Sequence, residues 1–172
     1  PAPVVSFTGS PLSGYYPLTV NFVNSTTGAN YYEWNFGDGS AISNDVNPTH
    51  NYTSAGIYDV TLTAYGPGGS TTLTIPTYIE SKDTPVPTVD FYSSTRTGYA
   101  GITTISFFGE ASVPSGVSIS GYAWHFGDGG STTSQNPTHT YSTPGTYTVD
   151  FTATSAGGDG TVTKTAWISI SA

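Results

Sequence analysis

Histidine is the side chain best suited to general acid–base or metal chemistry near neutral pH, and the chain has three: His50, His125 and His139. Either chemistry needs further partners, and three histidines with no cysteine leave few. His50 and His139 stand at equivalent places in a repeated motif. Catalytic machinery is rarely duplicated intact, whereas a scaffold residue must be, so both are expected to make structural hydrogen bonds. His125 has no histidine counterpart and is expected to face solvent. A glycosidase needs two carboxylates flanking a cleft, and Glu33, Glu80 and Glu110 show no such pairing. No Gly-rich phosphate loop or nucleophile elbow is present. These readings point away from an enzyme.

Calcium requires six to eight oxygen ligands. Asp38, Asp45, Asp90 and Asp128 are the residues that would supply them, although one Asp per glycine turn is a sparse donor set and no cofactor is expected. In Gly37-Asp38-Gly39 and Gly127-Asp128-Gly129 the glycines suit positive φ and the Asp suits bonding to nearby backbone N–H groups. Asn24-Ser25-Thr26 and Asn51-Tyr52-Thr53 fit the N-glycosylation pattern, whereas Pro48 and Pro137 block the acceptors at Asn47 and Asn136. Trp34 and Trp124 are expected to anchor cores. Trp167 falls on the opposite parity to Ala166 and Ile168, so it is expected to point outward as a contact or glycan-stacking residue.

Charge narrows the partners. The chain carries three cations, Lys82, Arg96 and Lys164, against eleven acidic residues, a formal net charge of −8. Three scattered cations make no face for nucleic acid or for an anionic membrane. Cysteine and methionine are both absent, so no disulfide staples the fold. A chain opening at Pro1, without an apolar membrane-spanning run, is expected to be a processed product or an excised piece of a longer one.

The elements that hold these residues come in two copies. Trp34-Asn35-Phe36-Gly37-Asp38-Gly39 recurs as Trp124-His125-Phe126-Gly127-Asp128-Gly129. Asn47-Pro48-Thr49-His50 recurs as Asn136-Pro137-Thr138-His139, and Tyr52, Gly56, Tyr58 and Val60 answer Tyr141, Gly145, Tyr147 and Val149. Two domains are expected, over residues 1–81 and 88–172, joined by a stiff, extended linker over 82–87 that contains Pro85 and Pro87. Within each copy the hydrophobic period is two. Leu18, Val20 and Phe22 alternate with polar neighbours, as do Tyr58, Val60, Leu62 and Ala64, and the last strand alternates through Val162, Ala166, Ile168 and Ile170. Short alternating strands with turn signals between them predict an antiparallel β-sandwich in each domain.

The Trp-x-Phe-Gly-Asp-Gly turn, the Asn-Pro-x-His-x-Tyr segment and the Gly-x-Tyr-x-Val strand together resemble the PKD (polycystic kidney disease) domain family, in both copies. The resemblance implies two tandem Ig-like sandwiches, with Trp34, Phe36, His50 and Tyr52, and Trp124, Phe126, His139 and Tyr141, as signature core residues. The family commonly has Asp after the Trp, where this chain has Asn35 and His125. Members occur in extracellular repeats, surface layers and as accessory domains of secreted proteases and polysaccharide-degrading enzymes.

The leading functional expectation is an extracellular or cell-surface structural subunit that self-associates into a filament, sheath or surface layer. Val4, Val5 and Phe7 lie on an extended N-terminal segment suited to adding to a neighbour's sheet edge. Their alternative role is an ordinary first strand. The other functional expectation is a non-catalytic binding or spacer module, for glycan, matrix or protein, within a larger secreted enzyme or adhesin.

Overall fold

The computed structural model describes all 172 residues. They form two compact units, Pro1–Asp83 and Thr84–Ala172, each all-β. The first unit contains β1 (Phe7–Ser10), β2 (Ser13–Tyr15), β3 (Leu18–Asn24), β4 (Tyr31–Asn35), β5 (Thr49–Tyr52), β6 (Gly56–Gly66) and β7 (Gly69–Lys82). One sheet runs β1-β3-β5 and the other β2-β7-β6-β4. The second unit contains β8 (Thr88–Ser93), β9 (Thr97–Tyr99), β10 (Thr104–Ser112), β11 (Ile119–His125), β12 (Ser131–Thr132), β13 (Thr138–Thr140), β14 (Gly145–Ser155) and β15 (Gly158–Ser171). Its sheets run β13-β10-β8 and β12-β11-β14-β15-β9.

Period-two patterning explains both cores. Along β3, Leu18, Val20 and Phe22 are buried while Thr19, Asn21 and Val23 are exposed. Along β6, Val60, Leu62 and Ala64 are buried, and the first two join Trp34 and Phe36, from β4 and its turn, in one core. Phe91, Ile105, Phe107, Trp124, Phe126, Val149, Phe151 and Ile168 fill the equivalent space in the second unit. Trp34 and Trp124 are fully buried, and each packs against two Phe rings from the facing sheet. Every strand pairing is antiparallel except β2 with β7 and β9 with β15, which are parallel. The chain crosses between sheets after β1 and after β8, so the next short strand joins the second sheet beside the last strand, running in the same direction.

The alternation of the last strand is broken at one place in each unit. Thr77 and Ala166 take positive φ, 49° and 52°, and the pairing with the preceding strand shifts register there. In the first unit Asp59 accepts the Thr77 N–H at 2.7 Å, which holds the bulge. Three residues, Thr165 to Trp167, stand opposite the single Thr148, and this bulge turns Ala166 out to solvent, against the inward position that its parity predicts. Trp167 is correspondingly half-buried instead of outward.

Segment 82–87 is engaged on both sides. Lys82 pairs with Tyr15 as the end of β7. Pro85 and Pro87 run along the second unit, where their carbonyl oxygens would lie 2.5 and 2.0 Å from a Cβ at Gly157 and Gly160. Pro1 approaches Gly68 in the same way in the first unit.

Candidate functional site

The strongest concentration of titratable and aromatic groups occurs once per unit, at the turn that follows β4 or β11. Gly37 and Gly39 both have φ near +80°, which folds the chain back and aims the Asp38 carboxylate at the strand of the other sheet. The Asn-Pro pair prepares that strand. Asn47 Oδ1 accepts the Asn24 N–H at 2.8 Å, and the buried Pro48 presents its carbonyl to the Phe22 N–H at 2.9 Å. This fixes the register of β5, so that His50 pairs with Val20 and Tyr52 with Leu18, on the inner face.

His50 Nε2 and Asp38 Oδ2 lie 2.7 Å apart. Asp38 Oδ1 accepts from the Ser40 backbone N–H and hydroxyl at 3.1 and 2.6 Å. The imidazole lies flat on Phe36, centroids 4.0 Å apart, and meets Tyr52 edge-on at 4.7 Å. Tyr52 O–H donates to the Phe36 carbonyl at 3.1 Å. The second unit repeats the cluster. His139 and Asp128 are 2.7 Å apart, His139 lies on Phe126 at 4.1 Å, and Tyr141 donates to the Phe126 carbonyl at 3.1 Å. Burial pushes the Asp38 carboxyl up, but hydrogen bonds from Ser40 and His50 outweigh it and hold the group below the usual carboxylate range. At Asp128 burial is likewise outweighed, there by His139 and the Gly130 N–H. Burial drives the Tyr52 and Tyr141 hydroxyls upward, so both stay protonated at neutral pH.

Each cluster clasps one sheet to the other. The imidazole is walled by a phenylalanine face and a tyrosine edge, an enclosed setting unlike that of a base poised over a nucleophile. Asn35 Oδ1 accepts the Gly37 N–H at 2.9 Å, a turn-bracing role open to any short side chain with an acceptor oxygen. His125, its counterpart, is exposed.

The four aspartates named for calcium do not converge. Asp38 and Asp128 are bound to their histidines, Asp90 to Lys164 Nζ at 2.8 Å, and Asp45 to the Ser43 hydroxyl at 3.3 Å. No three His, Asp or Glu side chains gather into a metal-binding group. Of the glycosylation candidates, Asn51 is exposed, but Asn24 Nδ2 is sealed from solvent, so the folded loop has no room for a glycan there. The N-terminal segment is consumed within its own unit. Val4 exchanges backbone hydrogen bonds with Thr27, Val5 packs on the core, and Phe7 is buried and pairs with Asn24. Trp167 lies edge-on to Phe91 at 5.8 Å and donates to the Ser93 hydroxyl at 3.2 Å, with Arg96 and Lys164 within 4.6 Å of its ring centre. It caps the open edge of the second core.

Sequence reasoning missed an aromatic pair on the second unit, the exposed Tyr92 and the half-buried Phe108. Tyr92 and Phe108 stack across β8 and β10 at 4.8 Å. Comparing the two copies position by position reveals them, because the first unit has Thr8 facing Val23 at the equivalent rung.

A model of the PKD domain matches the chain twice, over residues 2–80 and 84–170. The chain belongs to the PKD domain family. A stretch of this PKD chain is similar to part of the collagenase ColA of Bacillus cereus, 39% identical over 62 residues. That match covers 35% of this chain and 6% of the collagenase. Among solved structures, the PKD1 domain of Vibrio anguillarum Epp is 26% identical and matches 51% of this chain and 99% of that domain, with a TM-score of 0.43. The PKD1 domain of the Vibrio cholerae metalloprotease PrtV is 33% identical and matches 46% of this chain and 99% of that domain, with a TM-score of 0.38.

Proposed function

We propose that the chain is a non-catalytic tandem PKD module that works outside the cell as part of a larger secreted protein, where it binds or spaces. One observation carries this reading. The chain's best acid–base groupings, Asp38 with His50 and Asp128 with His139, occur in duplicate with the same 2.7 Å geometry and are enclosed by aromatic rings. Groups used in this way build a scaffold. The partial likeness to a collagenase and the family match over both halves are in keeping with an accessory role. A filament subunit is the other reading. Its contact segment, Val4 to Phe7, is already paired inside its own domain.

The test is turnover by the isolated chain on casein, gelatin, xylan and an ester substrate. The expected result is none. Hydrolysis that disappears in a His50→Gln, His139→Gln double variant, with the fold intact, would overturn the proposal.

A further inference from the structure

The two domains serve as controls for one another. Where both keep a residue, the fold accounts for it. Where only one has an unusual group, the scaffold does not require it. On the outer face of the β8–β10 pair, Tyr92 faces Phe108 and, two residues along each strand, Asp90 faces Glu110. The first domain has Thr8 and Val23 at the aromatic rung, and Ser6 and Ser25 at the acidic one.

Three features of this face go unexplained by folding. Tyr92 is 51% exposed on the edge strand of its sheet, so the ring face turned away from Phe108 has no strand beside it. The Glu110 carboxylate has no partner within the chain, and it faces another carboxylate, an arrangement that disfavours strand pairing. A shallow cleft takes in the acidic rung, between Thr88–Asp90 and Glu110–Ser112. Resting on the module reading above, we propose that the second PKD domain alone carries a polysaccharide-binding face. A sugar ring would stack on Tyr92, with Phe108 backing it, while Glu110 and Asp90 accept hydrogen bonds from sugar hydroxyls.

The chemistry favours a neutral sugar chain over a protein or a cationic ligand. Asp90 is already neutralised by Lys164, so the face presents one net charge and holds a cation weakly. The rungs on either side, Thr88 with Ser112 and Ser94 with Ser106, are small hydroxyl side chains. They suit a hydroxylated polymer lying along the strands and offer no apolar centre for a protein interface. Carboxylate acceptors beside an aromatic face give a sugar ring both things it needs, an apolar surface for its C–H groups and ionised acceptors for its O–H groups.

The experiment uses the whole chain against crystalline cellulose, chitin and soluble xylan, by depletion and affinity electrophoresis. Wild type is expected to bind at least one of them and to remain bound at about 1 M salt, where the Debye length is about 3 Å. Tyr92→Thr with Phe108→Val, the residues that the first domain uses, is expected to lower affinity at least about tenfold. Should that variant prove unstable, Glu110→Ser carries the test, because Glu110 is exposed and unpaired; its affinity is expected to fall several-fold. Retention on none of the three probes, or unchanged binding in both variants, overturns the proposal. So does binding to polylysine alone with release at high salt, which would assign the face to a cationic partner. Non-binding without hydrolysis removes this face and leaves the module reading intact, whereas hydrolysis of a probe removes the module reading.

Discussion

Alanine substitutions at the two turn glycines separate backbone strain from steric exclusion. Gly37 and Gly39 share a φ of 80°, so an added methyl group suffers the same left-handed penalty at both, about 1–2 kcal/mol. Part of that is offset by about 0.4–1 kcal/mol from a stiffer unfolded chain. The surroundings differ. A Cβ at Gly39 meets nothing within 4 Å, whereas one at Gly37 would lie 2.3 Å from the Asp59 carbonyl oxygen. Ordinary C···O contacts are about 3.3 Å or longer, so β6 would have to move by roughly 1 Å. Asp59 also braces the Thr77 bulge, so the strand cannot give freely. Gly39→Ala should therefore destabilise the first domain by about 1 kcal/mol, and Gly37→Ala by about 3–5 kcal/mol. The second domain supplies a replicate, since Gly129 is open and Gly127 would meet the Thr148 carbonyl at 2.4 Å. Native-state hydrogen exchange read on β6 and β14 peptides reports each domain within the intact chain. Equal losses at Gly37 and Gly39 would refute the argument that close approach to β6 is what demands glycine.

Two further tests address the clasp. Asp38 and Asp128 have folded pKa values below the unfolded value of about 3.9, so their contribution is present above that pH and is lost as pH falls through the lower folded value. Asp38→Asn with Asp128→Asn should flatten the acid limb of the stability profile below about pH 4, as measured by thermal melts across pH; an unchanged limb would contradict the assignment. Tyr52→Phe removes the donor to the Phe36 carbonyl and should cost the first domain about 1–3 kcal/mol. In alkaline absorbance titration the Tyr52 and Tyr141 phenols should stay protonated beyond the ordinary tyrosine value of about pH 10. Their burial stabilises the fold below that pH and ceases to do so as pH rises further.

Much of this architecture is legible in the residues. Leu18, Val20 and Phe22, or Tyr147, Val149, Phe151 and Ala153, alternate so regularly that their inward faces follow from the pleat alone. The bulges were not legible. Thr77 and Ala166 are ordinary residues in a left-handed conformation, set by the register of a partner strand, and parity read through them misplaces Ala166 and Trp167. The histidines illustrate a different limit. Repetition marks His50 and His139 as scaffold, but nothing local says that Asp38 and Asp128 are their partners, because the contact closes across the two sheets of a sandwich. Asn24 fits an acceptor pattern that spacing alone cannot reject, and only packing seals its amide.

The clasp and the aromatic face together describe a division of labour. Both PKD domains keep the aspartate–histidine closure, which makes each a stable unit, and the second carries in addition groups that its twin folds without. That pattern fits the accessory module proposed above. The direct test is the size and location of the native protein, read with an antibody to this chain on culture medium and cell-surface fractions. The account predicts a secreted polypeptide well above the chain's own 17.9 kDa, with a further domain in the same reading frame. A species of 17.9 kDa recovered from ordered fibres or a surface lattice would contradict it.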